Sequence, residues 1–158
     1  MTEAGQPLRQ LRLDFSGSRP QVLSQIMPHV RAIGAFLRDA GCAADPAQKL
    51  SMVAEEMLTN IAQHAWTGAQ VGRGSVQVEA IPHDESIEVT LRTEDDGAPF
   101  DPTRATEPDL DAPLEERALG GLGILMIRRM TDRQIWRRIA GSNVFEVAKR
   151  CARAQPCG

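Results

Sequence analysis

A glutamate and an asparagine one helical turn apart are the first residues of this sequence whose spacing suggests chemistry. Glu56 and Asn60 lie within LSMVAEEMLTNIAQHAW, residues 50–66, so on a helix both project from one face. A carboxylate and an amide oxygen suit a hard cation such as Mg²⁺, which takes oxygen ligands and shares them with substrate phosphates. Considered alone, such a pair is more often part of a solvated helix face. The interpretation as a cation site therefore depends on residues elsewhere in the chain.

A second set of polar residues follows a predicted strand. Asp95, Asp96 and Gly97 stand directly after a run of alternating apolar and polar residues. An aspartate at the end of a strand can accept a hydrogen bond from an exocyclic amine, and a glycine lets the backbone approach a flat ring closely. The alternative is an ordinary Asp-Gly turn, which is favoured if these residues are considered alone.

Glycines before an apolar helix form the third candidate. Residues 120–123 are Gly-Gly-Leu-Gly and precede Ile124 and Leu125. Such glycines expose backbone N–H groups at the positive end of a helix dipole, where an anion such as a phosphate can bind. The cluster alone is weak evidence, because a tight loop entering a packed helix has the same composition.

Length and composition predict a single soluble domain. The chain has 158 residues, of which 42% are hydrophobic, and this is enough for one core. A net charge of −3 gives no reason to expect nucleic acid as a partner, and no apolar run is long enough to span a membrane. Cys42, Cys151 and Cys157 lack metal-binding spacing and suit a reducing cytoplasm. The last two are expected to lie in a short disordered tail.

Three helices are predicted from apolar residues at helical spacing. The first opens at Pro20, is either kinked at Pro28 or restarts there, and is capped by Gly41. The second starts at the pair Asp45 and Pro46 and carries the first candidate site. Its core-facing residues are predicted to be Leu50, Val53, Met57, Leu58 and Ile61. The third follows the glycines at 120–123 and is closed by Asp132.

Alternating apolar and polar residues predict five strands, at residues 11–15, 75–81, 86–92, 133–139 and 143–149. The second and third form an antiparallel hairpin that follows a glycine-rich loop at 68–74. Residues 93–119 contain no periodic element and are expected to form a lid, a binding loop or a disordered segment. The order of elements predicts an α/β fold of the α+β two-layer sandwich type, in which helices cover one face of an antiparallel or mixed sheet.

In this order, the three candidate sites resemble the N, G1 and G2 boxes of the GHKL (Bergerat) ATP-binding fold, which histidine kinases, gyrase B and MutL share. The stretches SMVAEEMLTNIAQHAW, DDGAPFDP and GGLGILMIRRMTD are similar to the three boxes of the anti-sigma factor serine kinases of bacterial partner-switching systems. GSNVFEVAKR is similar to their closing strand. The resemblance implies one GHKL kinase domain over residues 10–150, with short tails at 1–9 and 151–158.

The resemblance implies roles for residues of the first box and of the segments after it. Glu56 resembles the catalytic carboxylate that accepts the proton of the attacking hydroxyl, and Asn60 resembles the Mg²⁺ ligand. His64 continues their row, and a packing or hydrogen-bonded histidine is favoured there over a catalytic one. Residues 93–119 cover the ATP lid of the family. Ser142 resembles a hydroxyl that approaches the adenine through water in relatives.

Residues of the second and third boxes are implied to bind the nucleotide. Asp95 resembles the aspartate that reads the adenine, and Gly97 would lie beside the ring. Gly121 and Gly123 resemble the glycines that cradle the phosphates, and Leu122 between them is assigned to the same cofactor site. Leu119 stands where many GHKL proteins have another glycine.

The function implied by the resemblance is an ATP-dependent anti-sigma factor and serine/threonine protein kinase. Such a protein sequesters a sigma factor, phosphorylates a small anti-sigma-factor antagonist, uses ATP and Mg²⁺, and acts in the cytoplasm without binding nucleic acid or membrane. The resemblance also suggests a homodimer through the first strand and helix. A histidine kinase is not favoured, because none of His29, His64 and His83 has the context of a phosphoacceptor.

A module that binds ATP as a structural ligand and transfers nothing is the alternative from another functional class. The presence of Glu56 argues against it, because a pure binder needs no base at that position. The sequence leaves both functions open, and the transfer of phosphate from ATP to a partner distinguishes them.

Overall fold

Five antiparallel strands form one sheet in the computed structural model, which describes residues 8–68, 70–104, 111, 113 and 121–156. In spatial order they are β1 (Arg9–Gly17), β2 (Gly72–Pro82), β3 (Ser86–Asp95), β5 (Ser142–Ala152) and β4 (Arg133–Ile139). Each neighbouring pair is antiparallel, and the helices pack on one face of the sheet. The predicted α+β two-layer sandwich is therefore confirmed.

Alternation along the strands determines which face of the sheet is buried. In β3, Ile87, Val89 and Leu91 are at most 1% exposed and face the helices. Arg92 and Glu94 lie on the opposite, solvent-exposed face. A slip of one residue in the pairing would exchange the two faces and expose the core, so burial fixes the register of the sheet.

The strands extend further than the sequence predicts. β2 begins at Gly72, so the second half of the predicted loop at 68–74 belongs to a strand that pairs with β1. β3 continues to Asp95, so residues 93–95 are strand rather than part of an irregular segment, because they pair with β5. A short 3₁₀ turn at Pro102–Arg104 follows. Of the remaining predicted lid, residues 105–110, 112 and 114–119 lie outside the described part of the chain.

The prediction that a short tail begins at residue 151 is wrong for its first two residues. Cys151 and Ala152 belong to β5, and Cys151 is buried in the core. Arg153 then forms an isolated antiparallel bridge with Cys42, in the link between the first two helices. This pairing extends ordered structure past residue 150, whereas Cys157 lies outside the described residues.

The first helix, α1 (Arg19–Asp39), is continuous. It does not restart at Pro28, because this residue is exposed and the carbonyl that loses its N–H partner can bind water. The backbone N–H of Ser18 donates to Oε1 of Gln21 at 2.8 Å and closes the first turn. Gly41 follows the helix with φ +96°, in agreement with its predicted role in ending α1.

The second helix, α2 (Ala44–His64), begins one residue earlier than predicted, with Ala43 as its N-cap. Asp45 lies in the first turn, where its negative charge interacts favourably with the positive end of the helix dipole. Its Oδ2 also forms an ion pair with Nζ of Lys49 at 3.0 Å. Every predicted core-facing residue of α2 is buried: Leu50, Val53, Met57, Leu58 and Ile61. α2 packs on α1 and on the third helix, α3 (Gly121–Met130). None of the helices in the described ranges combines the length and apolar character needed to cross a lipid bilayer.

The stability of this fold should depend strongly on the buried face of α1. Leu37 is 0% exposed, whereas Leu23 on the same helix is 44% exposed. We expect Leu37→Ala to lower the free energy of unfolding by about 2–5 kcal/mol, because it removes buried methyl groups and leaves a cavity. Leu23→Ala is the matched control and should cost less than about 1 kcal/mol. Urea denaturation followed by circular dichroism measures both, and equal losses would contradict the assignment of the core.

Candidate functional site

A cavity opens between the C-terminal half of α2 and the adjacent ends of β3, β4 and β5. Its lining includes Asn60, His64, Asp95, Phe100, Trp136 and Phe145. The cavity therefore combines several buried polar side chains with several flat aromatic rings. This composition is typical of small-molecule sites, where a few polar groups orient a ligand held by apolar walls.

His64 and Phe100 form part of the wall of this cavity. Their ring centroids are 4.6 Å apart and the ring planes are inclined by 14°, so the two rings are stacked. His64 thus makes the packing contact that was favoured for it from the sequence. The stack also connects the segment after β3, residues 96–101, to the end of α2.

Asp95 is the central buried carboxylate of the cavity. It is 5% exposed, and its Oδ1 accepts hydrogen bonds from the Gly97 N–H and from Nδ2 of Asn143, both at 3.0 Å. The pKa of Asp95 is raised, and burial is the largest cause, whereas the two hydrogen bonds and the nearby Arg138 guanidinium act to lower it. Asp96 raises the pKa further. A carboxylate in this environment is a strong acceptor for a ligand N–H group.

Asn143 is a site residue that the sequence analysis missed. It lies opposite Asp95 in the β3–β5 pair and is itself 5% exposed. The sequence pointed instead to its neighbour Ser142, which does not line the cavity. Adjacent strand residues face opposite sides of a sheet, so only the register of β5 shows which of the two reaches Asp95.

Gly97 is packed against the end of α2. A Cβ at this position would collide with the Cβ and carbonyl oxygen of Ala65, and the following Ala98 N–H donates to that same carbonyl at 2.8 Å. Packing against the helix therefore already requires a glycine here. The predicted contact of Gly97 with a flat ring stays a prediction.

Glu56 and Gly123 come together where α2 meets α3. A Cβ at Gly123 would collide with Oε2 of Glu56, so the absence of a side chain allows the carboxylate to approach the first turn of α3. Burial raises the pKa of Glu56, and the neighbouring Glu55 carboxylate raises it further. A raised pKa means that this carboxylate has a higher proton affinity than an ordinary glutamate.

Asn60 lies one turn from Glu56 and lines the cavity. It is 6% exposed, and among the described residues its side-chain amide has no hydrogen-bonding partner. An amide oxygen without a protein partner fits a Mg²⁺ ion, which commonly takes one or two protein ligands together with substrate phosphates. Within the described ranges, no cluster of three or more His, Cys, Asp or Glu side chains could hold a metal ion.

The start of α3 completes the set of predicted residues. The helix begins at Gly121, Leu122 is 49% exposed, and Gly123 is buried against Glu56. Gly120 lies outside the described residues. The first turn of α3 is next to the Glu56 carboxylate. A phosphate bound to the N–H groups that a helix leaves unpaired in its first turn would therefore lie beside this carboxylate.

Comparison with known proteins places this chain among ATPase domains. The sequence model of the histidine kinase-like ATPase domain family matches residues 20–155. The serine/threonine-protein kinase BtrW of Bordetella bronchiseptica is 31% identical over 94 residues, which is 60% of this chain and 63% of that protein. The serine-protein kinase RsbW of Listeria monocytogenes is 31% identical over 97 residues, or 59% of each chain. The chain thus spans about six-tenths of the length of these curated relatives.

One solved structure that the chain matches is the SiaB–SiaC complex from Pseudomonas aeruginosa. The match has a TM-score of 0.45 and 20% sequence identity, and it covers 87% of this chain and 89% of the other.

The environment of Glu56 leads to a prediction about its titration. We expect its carboxyl group to titrate above the ordinary range of glutamate, because burial is the larger cause of its raised pKa. Glu55→Gln should lower the pKa of Glu56 without restoring the ordinary value. Carbon-13 NMR of the side-chain carboxyl groups measures this pKa in both proteins, and an ordinary or lowered pKa in the wild type would contradict the described burial.

Proposed function

We propose that this chain, which belongs to the histidine kinase-like ATPase domain family, is an ATP-dependent serine/threonine protein kinase and anti-sigma factor. The observation that carries the proposal is the position of the Glu56 carboxylate against the first turn of α3, one helical turn from Asn60. A protein that only holds ATP needs no base at this place. Two similar proteins are named as serine or serine/threonine kinases, and they support the same activity.

The predicted site residues other than Gly97 have the following roles in this reaction. The adenine occupies the cavity with its amino group donating to Asp95, while the phosphates extend toward Gly121, Leu122 and Gly123. Asn60 would hold Mg²⁺, which supplies positive charge to the phosphates when it is bound. The resemblance and the position of Asn60 in the cavity wall, one helical turn from Glu56, both support this assignment.

In the transfer step, Glu56 accepts the proton of the acceptor hydroxyl. The acceptor hydroxyl oxygen forms a bond to the γ-phosphorus, the bond from that phosphorus to the bridging oxygen breaks, and ADP leaves. Glu56 takes the proton of the hydroxyl as the new bond forms. The raised pKa of Glu56 favours this proton uptake.

The partners follow from the same proposal. The acceptor is a serine or threonine of a small anti-sigma-factor antagonist, and the unphosphorylated antagonist competes with a sigma factor for this protein. Phosphorylation adds about −1.5 to −2 charges at neutral pH, which weakens an interface that was formed with a neutral hydroxyl. We place this switch in the cytoplasm, where it regulates transcription, and we include a homodimer in the proposal.

The kinase activity should depend on the carboxylate of Glu56. We expect Glu56→Gln to lower the rate of phosphate transfer by about 10²–10⁴-fold, because the amide cannot accept the proton, and to leave the Kd for ATP almost unchanged. The measurement uses purified protein, Mg²⁺, ATP labelled on the γ-phosphate and lysate of the source organism. A small protein should be labelled only by the wild type, and mass spectrometry then identifies its phosphorylated residue.

Glu55→Gln is the matched control for this experiment. It removes a carboxylate from the adjacent position of the same helix, and labelling should stay within a few-fold of the wild type. If the wild type binds ATP tightly but labels no protein, the kinase proposal fails and the ATP-binding module replaces it. Equal labelling by Glu56→Gln and the wild type would remove Glu56 as the base.

The proposed Mg²⁺ ligand can be tested by binding alone. We expect Asn60→Ala to reduce ATP affinity by about tenfold or more in the presence of Mg²⁺, since even outer-shell changes cost about 10–100-fold in metal affinity. With EDTA, the mutant and the wild type should bind nucleotide similarly. Isothermal titration calorimetry measures both conditions, with the neighbouring Thr59→Ala as control. A loss of equal size with and without Mg²⁺ would contradict metal binding by Asn60.

A further inference from the structure

The side chain of Asn143 joins two parts of the site that are far apart in the sequence. Its Nδ2 donates to Oδ1 of Asp95 at 3.0 Å and to the carbonyl oxygen of Ala98 at 2.8 Å. Its Oδ1 accepts from the backbone N–H of Phe100 at 3.2 Å. Both amide hydrogens and the carbonyl oxygen of this buried side chain are therefore used.

Only one orientation of the Asn143 amide satisfies these partners. If its oxygen and nitrogen were exchanged, the oxygen would face the Asp95 carboxylate and the Ala98 carbonyl, and the nitrogen would face the N–H of Phe100. Each of these contacts would be repulsive. Neither an aspartate nor a leucine of similar shape can supply both donors, so the position requires an amide.

The bond to Asp95 determines which oxygen of that carboxylate remains available. The Gly97 N–H and the Asn143 amide both donate to Oδ1, while Oδ2 has no hydrogen-bonding partner among the residues that the structure describes. A ligand amine in the cavity can therefore donate to Oδ2 without displacing a protein contact. Because Asn143 holds Oδ1, it also limits rotation of the carboxylate.

The other two bonds of Asn143 hold the segment after β3. This segment is also tied to β4 by Arg138, whose Nη1 donates to the Gly97 carbonyl at 2.7 Å. It is tied to α2 by the hydrogen bond from Ala98 to Ala65. Fixed in this way, the segment carries Phe100 into its stack on His64 at the cavity wall.

We propose that Asn143 is a positioning residue for recognition of the nucleotide base, because one amide orients both the acceptor Asp95 and the aromatic wall at Phe100. The inference rests on the proposed function, since it needs the adenine of ATP to occupy this cavity. It adds a determinant of specificity: Asn143 makes the site prefer a base that carries a 6-amino donor.

The charged and titratable groups around Asp95 set how this preference depends on pH. They are Asp96 at the end of the same strand, Arg138 on β4 and His64 on α2. The hydrogen bond from Asn143 lowers the pKa of Asp95 against the opposing effect of burial. Without this bond the pKa of Asp95 rises. When the pH is lowered, the variant therefore loses the charged acceptor at a higher pH than the wild type does.

The test compares the affinities for ATP and for inosine triphosphate, which has an oxygen in place of the 6-amino group. Isothermal titration calorimetry at several pH values gives both Kd values. The wild type should prefer ATP by about 10–100-fold, the range expected for a hydrogen bond to a charged acceptor. In Asn143→Ala this ratio should fall by about tenfold at neutral pH, and the remaining preference should disappear at a higher pH than in the wild type.

A second variant, Asn143→Asp, should show the opposite pH dependence of the preference for ATP. Its side chain has the size of asparagine, but two ionised carboxylates would face each other, so the pair takes up one proton as the pH falls. That proton restores a donor to Asp95. The preference for ATP should therefore be weak at pH 8 and increase toward pH 6, whereas it only decreases with falling pH in the other proteins.

Glu146→Gln, on the solvent-exposed face of β5, is the control and should keep the wild-type ratio. If Asn143 had a purely structural role, its substitution would weaken the binding of both nucleotides equally. The ratio of the two Kd values would then be unchanged in both Asn143 variants. This result would overturn the inference but would leave ATP binding by the wild type intact. A wild type that binds both nucleotides equally would also overturn it. A wild type that binds neither would instead remove the proposed function itself.

Discussion

Burial of the Asp95 carboxylate is the constraint on which the arrangement of the site depends. A charged group removed from water costs several kcal/mol unless donors surround it. Here the Gly97 N–H and the Asn143 amide supply hydrogen bonds, and Arg138 supplies positive charge. The pKa of Asp95 is nevertheless raised, so the protein compensates its burial only in part. A ligand N–H group would complete the compensation, which explains how a destabilising carboxylate can be useful for binding.

The groups that stabilise Asp95 also shape the cavity around it. Asn143 is hydrogen-bonded to the backbone on both sides of Pro99, and Gly97 lies so close to Ala65 that a side chain would not fit. These contacts fold the segment after β3 against α2 and β5. The polar acceptor and the aromatic wall of the cavity therefore form as one unit, because the same few contacts define both.

The second helix serves the core and the site at the same time. Its buried row packs against the sheet, and this packing leaves little freedom for Asn60 and Glu56 on the neighbouring row. The contact between Glu56 and Gly123 then brings a carboxylate next to the first turn of α3, the part of a helix whose N–H groups have no intrahelical partner. A carboxylate held by a packed helix keeps its position without the entropy cost that a carboxylate on a loop would have.

Local patterns in the sequence determined much of this description. The 3.6-residue period placed Asn60 and Glu56 on one helix face and identified the buried row of α2, and alternation located five strands of the sheet. Sequence patterns are less accurate at the ends of elements, where pairing with another strand decides. The extension of β3 to Asp95 follows from its pairing with β5, and Cys151 is ordered for the same reason.

Only the tertiary structure decided which residues meet. Asn143 and Asp95 are 48 residues apart, and no local period relates them; their contact follows from the register of two strands whose alternate side chains must be buried. The close approaches of Gly97 to Ala65 and of Gly123 to Glu56 likewise depend on how helices dock on the sheet. The sequence by itself determined the kinds of groups available and their local direction, since these depend on covalent geometry and short-range periodicity. Their distances and their pKa values depend on long-range packing, which exists only once the whole core has formed.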